Sequence, residues 1–247
     1  GDFRLDSPET YESWYQKEHT FPQGFATAVY GLPELWRERI RSAKLIANPG
    51  CYPTTAILGL LPAFAYRLVD PESILVDAKS GTTGAGVKPK PVTHFSSTND
   101  NFRAYGLKGH RHTVEMEQQL GHSGAGKVCL QFTPHLLPVD RGILATIYAR
   151  PAQGRQLSRE KLVELYKSHY ADHPFVRIVP APPSLKEVRG SNFCNIYPDY
   201  DERTGNVIIL SAIDNLVKGA AGQAVQNMNL IFGREETEGL QQLPLAP

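Results

Sequence analysis

Apolar and polar positions along this chain follow two periods, and the switches between them mark its elements. Helical spacing runs through 8–15 and again through 33–42. Residues 44–47 read as a short buried strand. The run Ala56-Ile57-Leu58-Gly59-Leu60-Leu61 reads as a buried helix, under way by Thr55 with Pro53 in its first turn. Strand-like stretches follow at 74–79, 128–133, 143–150, 176–179 and 207–210. Between them lie helical patterns at 113–120, stopped by Gly121, and at 158–171, with Leu162, Leu165, Tyr166 and Tyr170 on one face. A last helix spans 216–232, capped by Asp214 or Asn215 and stopped by Gly233. Its Gly219, Ala220, Ala221, Gly222 and Ala224 permit close packing against another element, one outside this sequence among the candidates. The stretch from Gly81 to Gly109 is glycine-rich, then polar with prolines, a loop able to cover a site. The tail 235–247 carries no pattern and reads as loosely held. Strands grouped mid-chain and interrupted by helices predict a mixed sheet with helices on one face.

One segment breaks the pattern informatively. Asn48-Pro49-Gly50-Cys51-Tyr52-Pro53-Thr54 places a cysteine between a strand and a buried helix. A thiol there meets unpaired backbone N–H groups and the positive end of the helix dipole. Both favour thiolate, the nucleophilic form, and the same N–H groups can hold an oxyanion. Free cysteine is otherwise most often a small buried hydrophobe. The turn setting favours the nucleophile, and Cys51 is then expected to be alkylated ahead of Cys129 and Cys194. Those three cysteines share no CxxC spacing, which suits a reducing compartment and free thiols; the expected location is cytoplasmic.

Charge narrows the partners. Lys and Arg number 26 against 25 Asp and Glu, leaving no field for nucleic acid or an anionic membrane. No apolar run approaches the roughly 20 residues that span a bilayer. His110-Arg111-His112 precedes the 113–120 helix, and on an extended segment both rings would share a face. One imidazole near the thiol would move its proton, but spacing does not separate His110 from His112. Two histidines fall short of a zinc set. The run Gly81–Gly86 is flexible but is not a GxGxxG fingerprint. Arg4, Lys79, Arg111 and Arg141 are the cations at useful places, since a guanidinium forks a carboxylate or phosphate. Gly1-Asp2-Phe3 opens without an initiator methionine, as though in mid-element, so a preceding N-terminal portion is expected.

These motifs together resemble the N-acetyl-gamma-glutamyl-phosphate reductase family, relatives of the aspartate-semialdehyde dehydrogenases. The likeness runs through Asp2–Leu5, Tyr30–Glu34, the 48–54 turn and Ser80–Gly86. It continues in Gly109–Thr113, Arg141–Leu144, Gly190–Asn192 and Asp214–Gln223. Val114 departs from it, where the family usually has proline, at the entry to a helix. The resemblance implies an α/β plus α+β fold: a Rossmann NAD(P)-binding remnant with a mixed-sheet catalytic domain of the glyceraldehyde-3-phosphate dehydrogenase-like type. Residues 1–50 would be the end of the nucleotide-binding domain, 51–211 the catalytic and dimerisation domain, and 212–247 a helix returning to the first. It implies reduction of N-acetyl-L-glutamyl 5-phosphate by NADPH (cofactor NADP) through a cysteine thioester, in arginine biosynthesis, by a homo-oligomer (dimer or tetramer). Cys51 and His110 would be catalytic; Arg4, Tyr105, Arg111 and His112 would bind substrate. Ser80, Gly81 and Asn215 would face the cofactor, and no metal is implied. The alternatives are a carrier-bound aminoadipyl or glutamyl phosphate as substrate, a cysteine hydrolase with water in place of hydride, and a non-catalytic fragment, because the dinucleotide fingerprint is absent.

Overall fold

In the computed structural model, which describes residues 1–245, the central fact is a helix with no exposed side. α3 (Cys51–Ala65) is apolar almost all round, and every residue from Tyr52 to Phe64 is buried. A helix of that composition is stable only when wrapped by other elements. Ile57, Leu58 and Leu60 are completely buried, each contributing about 1.5–3 kcal/mol of transfer free energy. Gly59 lets the helix approach the sheet, since a Cβ there would stand 3.0 Å from Ile147 Cδ1. Pro62 has no N–H for the Leu58 carbonyl one turn back. The Tyr170 hydroxyl donates to that carbonyl instead, and the Tyr166 hydroxyl donates to Gly59 O at 2.8 Å.

The wrapping elements follow in chain order. α1 (Pro8–Tyr15) is capped by Ser7, whose hydroxyl accepts from Thr10 N. β1 (Ala28–Tyr30), α2 (Pro33–Arg41) and β2 (Leu45–Ala47) form a small unit with the two strands parallel. After α3 come β3 (Ile74–Ser80), the short α4 (Phe95–Thr98), β4 (Arg103–Ala104), α5 (His112–Leu120), β5 (Leu130–Leu136) and β6 (Ile143–Ala149). α6 (Arg159–His169), β7 (Val176–Ile178), β8 (Cys194–Asp201), β9 (Asn206–Ile213) and α7 (Gly222–Ile231) complete the chain. Seven strands join in the order β4-β5-β3-β6-β9-β8-β7. β3 is parallel to β5 and β7 to β8, and the other pairs are antiparallel, a mixed sheet as expected. Alternation sets its faces: Ile74, Val76, Ala78 and Ile143, Ala145, Ile147 point to α3, while Leu75 and Tyr148 are exposed on the other face. No helix among the described residues is long and apolar enough to cross a membrane.

Three differences from the sequence reading have physical reasons. β8 was hidden by Pro198 and its aspartates. β7 pairs only with residues 194–196, so Pro198 lies beyond its end, where a missing N–H costs nothing. The segment before α7 is a wide turn, Val217–Ala221, in which Gly219 N bonds back to Asp214 O. It bulges because Gly219 lies on α3: a Cβ there would stand 2.8 Å from Cys51 Cβ. Gly219 therefore packs on α3 and Gly222 against Asn192 and Val217, while Ala221 and Ala224 are exposed. The tail is held as far as it is described, with Leu240 buried and Leu245 N bonded to Arg189 O; Ala246 and Pro247 lie outside the described residues.

α7 also packs on α2, where Val29, Ile40 and Leu230 form a small cluster. Beneath it a completely buried ion pair joins Lys218 Nζ to Glu34 Oε1 at 2.7 Å. Gln226 completes the network, accepting from Lys218 at 2.8 Å and from Asn192 at 3.1 Å. Burial pushes the Glu34 carboxyl up, but Lys218 more than offsets this and holds it below the usual range. Removing one partner strands the other charge, so Lys218→Met should lower stability by about 3–5 kcal/mol in urea titrations. Because the folded Glu34 pKa is lowered, the pair's contribution is full above the ordinary glutamate range. It is lost as pH falls through the lowered value, so the gap between wild type and variant should narrow in acid.

Candidate active site

Cys51 is the first residue of α3, with Gly50 as its cap in extended conformation. The helix N-terminus does present N–H groups to the sulfur, but burial dominates. It pushes the thiol up to about 11, against the opposing pull of the Tyr52 N–H and Arg4 and with a further push from Glu115. The resting group is therefore a thiol, not the thiolate that the turn alone led us to expect. Ionisation requires a base.

A cavity of about 310 Å³ opens over Cys51. Ser80, Gly81, Tyr105, His110, Arg111 and His112 line it with the cysteine, so residues scattered over 60 positions of sequence converge on one site. Tyr52, Lys90, Thr93 and Arg103 join them and were not singled out beforehand. Lys90 and Arg103 lie in the stretch whose only sequence signal was a polar loop. Lys90, Arg103 and Arg111 give the lining three cations, and no carboxylate shares it. That balance suits an anionic ligand.

The two histidines sit differently. The His112 amide donates to His110 Nδ1 at 3.1 Å, so neutral His110 carries its proton on Nε2. Its ring is enclosed by Tyr52, Tyr105 and Phe132 at centroid distances of 5.8, 5.7 and 5.2 Å. The His112 ring lies against Gly50, where a Cβ would stand 2.5 Å from its Nε2, and its Nδ1 is buried without a hydrogen-bond partner. Burial, then the Arg111 charge, pushes His110 down to about 4. Burial, then His110 and Arg4, pushes His112 well below its usual range. Both rings are neutral at pH 7. The Tyr105 hydroxyl donates to that of Tyr52 at 3.0 Å, which in turn donates to His135 O at 3.1 Å.

Other nominated residues have structural partners. Arg4 is not part of this cavity wall; its Nε donates to Asn48 O at 2.7 Å and its guanidinium faces Glu115. Asn215 also stands behind the wall, accepting from Gly142 N at 2.7 Å and donating to Thr83 Oγ1 at 3.0 Å. Arg141 pairs with the buried Asp214 at 2.9 Å, and Lys79 with Asp77 at 2.7 Å. The amides of Gly81, Thr82 and Thr83 bond to carbonyls of 139–142, and a Cβ on Gly81 would meet Asp140 O at 2.6 Å. These glycines serve a close crossing of two turns. Among the described residues no cluster of three or more His, Cys, Asp or Glu is arranged to hold a metal. Glu115, not singled out from the sequence, proves fully buried, accepting from Gly50 N and the Tyr30 hydroxyl, both at 2.8 Å. Its placement one turn after His112 was the available signal.

Residues 51–215 match the family model described as semialdehyde dehydrogenase, dimerisation domain. The N-acetyl-gamma-glutamyl-phosphate reductase of Desulforudis audaxviator is 54% identical over 97% of this chain and 69% of its own length. That of Geobacter metallireducens is 53% identical over 100% of this chain and 71% of its own. Among solved structures, aspartate semialdehyde dehydrogenase II from Vibrio cholerae superposes with a TM-score of 0.69 at 16% identity, over 92% of this chain and 77% of that one. The aspartate semialdehyde dehydrogenase from Francisella tularensis gives 0.63 at 12% identity, over 82% and 70%. These two establish a shared fold.

The thiol environments set an order of reactivity. Cys129 is exposed, Cys51 is raised to about 11, and Cys194 is buried and raised to about 12. With iodoacetamide at neutral pH, peptide mapping should find Cys129 labelled first and Cys194 last. The Cys51 rate should climb steeply with pH, since thiolate is the reacting form. Labelling of Cys51 ahead of Cys129 in the resting protein would show that its sulfur is already ionised.

Proposed function

The chain belongs to the N-acetyl-gamma-glutamyl-phosphate reductase family, and from that premise we propose how its cavity carries out the reaction. It is an oxidoreductase of the phosphorylating semialdehyde dehydrogenase type, converting N-acetyl-L-glutamyl 5-phosphate to the 5-semialdehyde with release of phosphate. The relatives compared above are named for the acetylated glutamyl phosphate, so the carrier-bound alternative is not favoured. The observation that carries the mechanism is a cysteine at a helix N-terminus sharing one cavity with two neutral histidines and three cations.

Cys51 gives its proton to one of the two neutral imidazoles as its sulfur attacks the acyl carbon. The S–C bond forms, the C–O bond to phosphate breaks, and a thioester remains. The helix N–H groups stabilise the oxygen as negative charge develops. Arg111 attracts the anionic ends of the substrate. His110 meets the substrate oxygen as a donor through Nε2, which supports it as the acid–base residue. A second reading assigns the thiol proton to His112, whose unpartnered ring rests on the cysteine turn.

The residues present fit the nicotinamide end of a dinucleotide and not its pyrophosphate. At Gly84 a Cβ would stand 3.1 Å from Ser80 Oγ, so its absence leaves a bare wall, while the chain contains no glycine-rich fingerprint. Ser80 and Gly81 would face the cofactor, taken to be NADPH, whose chemistry would be hydride donation to the acyl carbon. The C–S bond would then break to free the aldehyde and the Cys51 thiol. Asn215 holds the loop of Ser80 and Gly81 through Gly142 N and Thr83 Oγ1. Residues 1–50 and 212–247 we assign to the nucleotide-binding side, and 51–211 to catalysis and dimerisation. Exposed Leu75 and Tyr148 on the open sheet face support assembly as a homo-oligomer.

Cys51→Ser should abolish aldehyde formation from the acyl phosphate while circular dichroism stays native; near-normal turnover would remove the nucleophile assignment. His110→Asn should lower turnover roughly 10²–10⁴-fold. Stoichiometric phosphate release without cofactor reports acylation alone. If His112→Asn, rather than His110→Asn, slows that release, the thiol's base is His112.

A further inference from the structure

We propose that Arg4 and Glu115 form a positioning clamp for the nucleophile, gripping the Asn48-Pro49-Gly50 turn at both ends. Arg4 Nε donates to Asn48 O at 2.7 Å, and Glu115 Oε1 accepts from Gly50 N at 2.8 Å. Pro49 between them has no N–H, and the Asn48 side chain is held separately, donating to Ala220 O and accepting from Asn227 Nδ2, both at 3.0 Å. The two side chains face each other loosely, Arg4 Nη1 to Glu115 Oε2 at 3.7 Å, and that oxygen is buried without a hydrogen-bond partner. Glu115 lies one turn from His112 on α5, so one helix carries both the clamp and the ring resting on Gly50. Arg4 is thereby a positioning residue and not a substrate anchor. The inference rests on Cys51 being the nucleophile.

The clamp also places two opposite charges by the thiol. Arg4 favours its ionisation and Glu115 opposes it. The other groups facing the cysteine from the cavity are neutral His110 and His112, the hydroxyls of Tyr52 and Tyr105, and Arg111. Lys218, beside the Gly219 that packs on Cys51, is paired with Glu34. A merely structural cap would leave the titration of the sulfur unmoved when its charge is removed. A clamp of this kind moves it in opposite directions for its two halves.

The test uses the full-length reductase and follows iodoacetamide labelling of Cys51 against pH by mass spectrometry. Glu115→Gln should lower the labelling midpoint by about 1 pH unit and Arg4→Gln should raise it by about as much. Turnover should fall roughly 10–100-fold in Glu115→Gln, with KM for the acyl phosphate little changed. Glu115→Asp keeps the charge, so its midpoint should stay near wild type while turnover still falls. The clamp is refuted if the midpoints of folded Glu115→Gln and Arg4→Gln move together or not at all. It is also refuted if Arg4→Gln raises KM with turnover intact. Should Glu115→Gln fail to fold, Arg4→Gln and Glu115→Asp carry the test alone. Labelling does not depend on turnover, so an active Cys51→Ser enzyme would sink the nucleophile reading without being mistaken for failure of the clamp.

Discussion

Complete burial of α3 is the constraint from which the rest of the architecture follows. A helix apolar on every side has to be enclosed, and the sheet, α5, α6 and the 217–221 turn each cover part of it. Only its N-terminal end approaches the cavity. The residue at that end is therefore held by a rigid, fully packed rod, which suits a reacting atom that must be fixed to a fraction of an ångström. The same packing strips much of the water from around the sulfur and raises its pKa, favouring the thiol at rest. Precision and latency in Cys51 have one cause.

Two buried charged pairs connect this rod to its surroundings, and they differ in character. Lys218 and Glu34 meet at 2.7 Å with a third partner in Gln226, a closed set that welds α2 to the chain before α7. Arg4 and Glu115 stand 3.7 Å apart, each with its best bond made to the cysteine turn. The lysine pair joins the β1-α2-β2 unit to the 217–221 turn. The arginine pair faces inward, to chemistry.

Much of this was legible in the sequence. Periodicity found the core strands β3, β6 and β9 and every helix but the short α4, and the strand–turn–helix around Cys51 pointed to the residue that the cavity opens over. Periodicity missed β8, because Pro198 at a half-paired position resembles a break until β7 is known to be short. It could not show that Arg4 turns to Asn48 and Glu115, since both partners are distant in sequence. Nor could the helix dipole at Cys51 be weighed against burial before the depth of the site was known. Contacts between distant residues, and the dielectric they create, are what a single sequence does not carry.

Pro62 and Tyr170 illustrate how such contacts constrain change over time. The proline leaves the Leu58 carbonyl without a helical donor, and the tyrosine hydroxyl from the end of α6 takes it. Replacing Pro62 by alanine first would restore the ordinary helical bond and make the hydroxyl dispensable. Replacing Tyr170 by phenylalanine first would pass through a buried, unpaired carbonyl, at about 1–3 kcal/mol. The two positions are thus free to drift in one order and not the other. A ratchet of that kind ties the mutational history of α6 to a single ring in the helix that begins at Cys51.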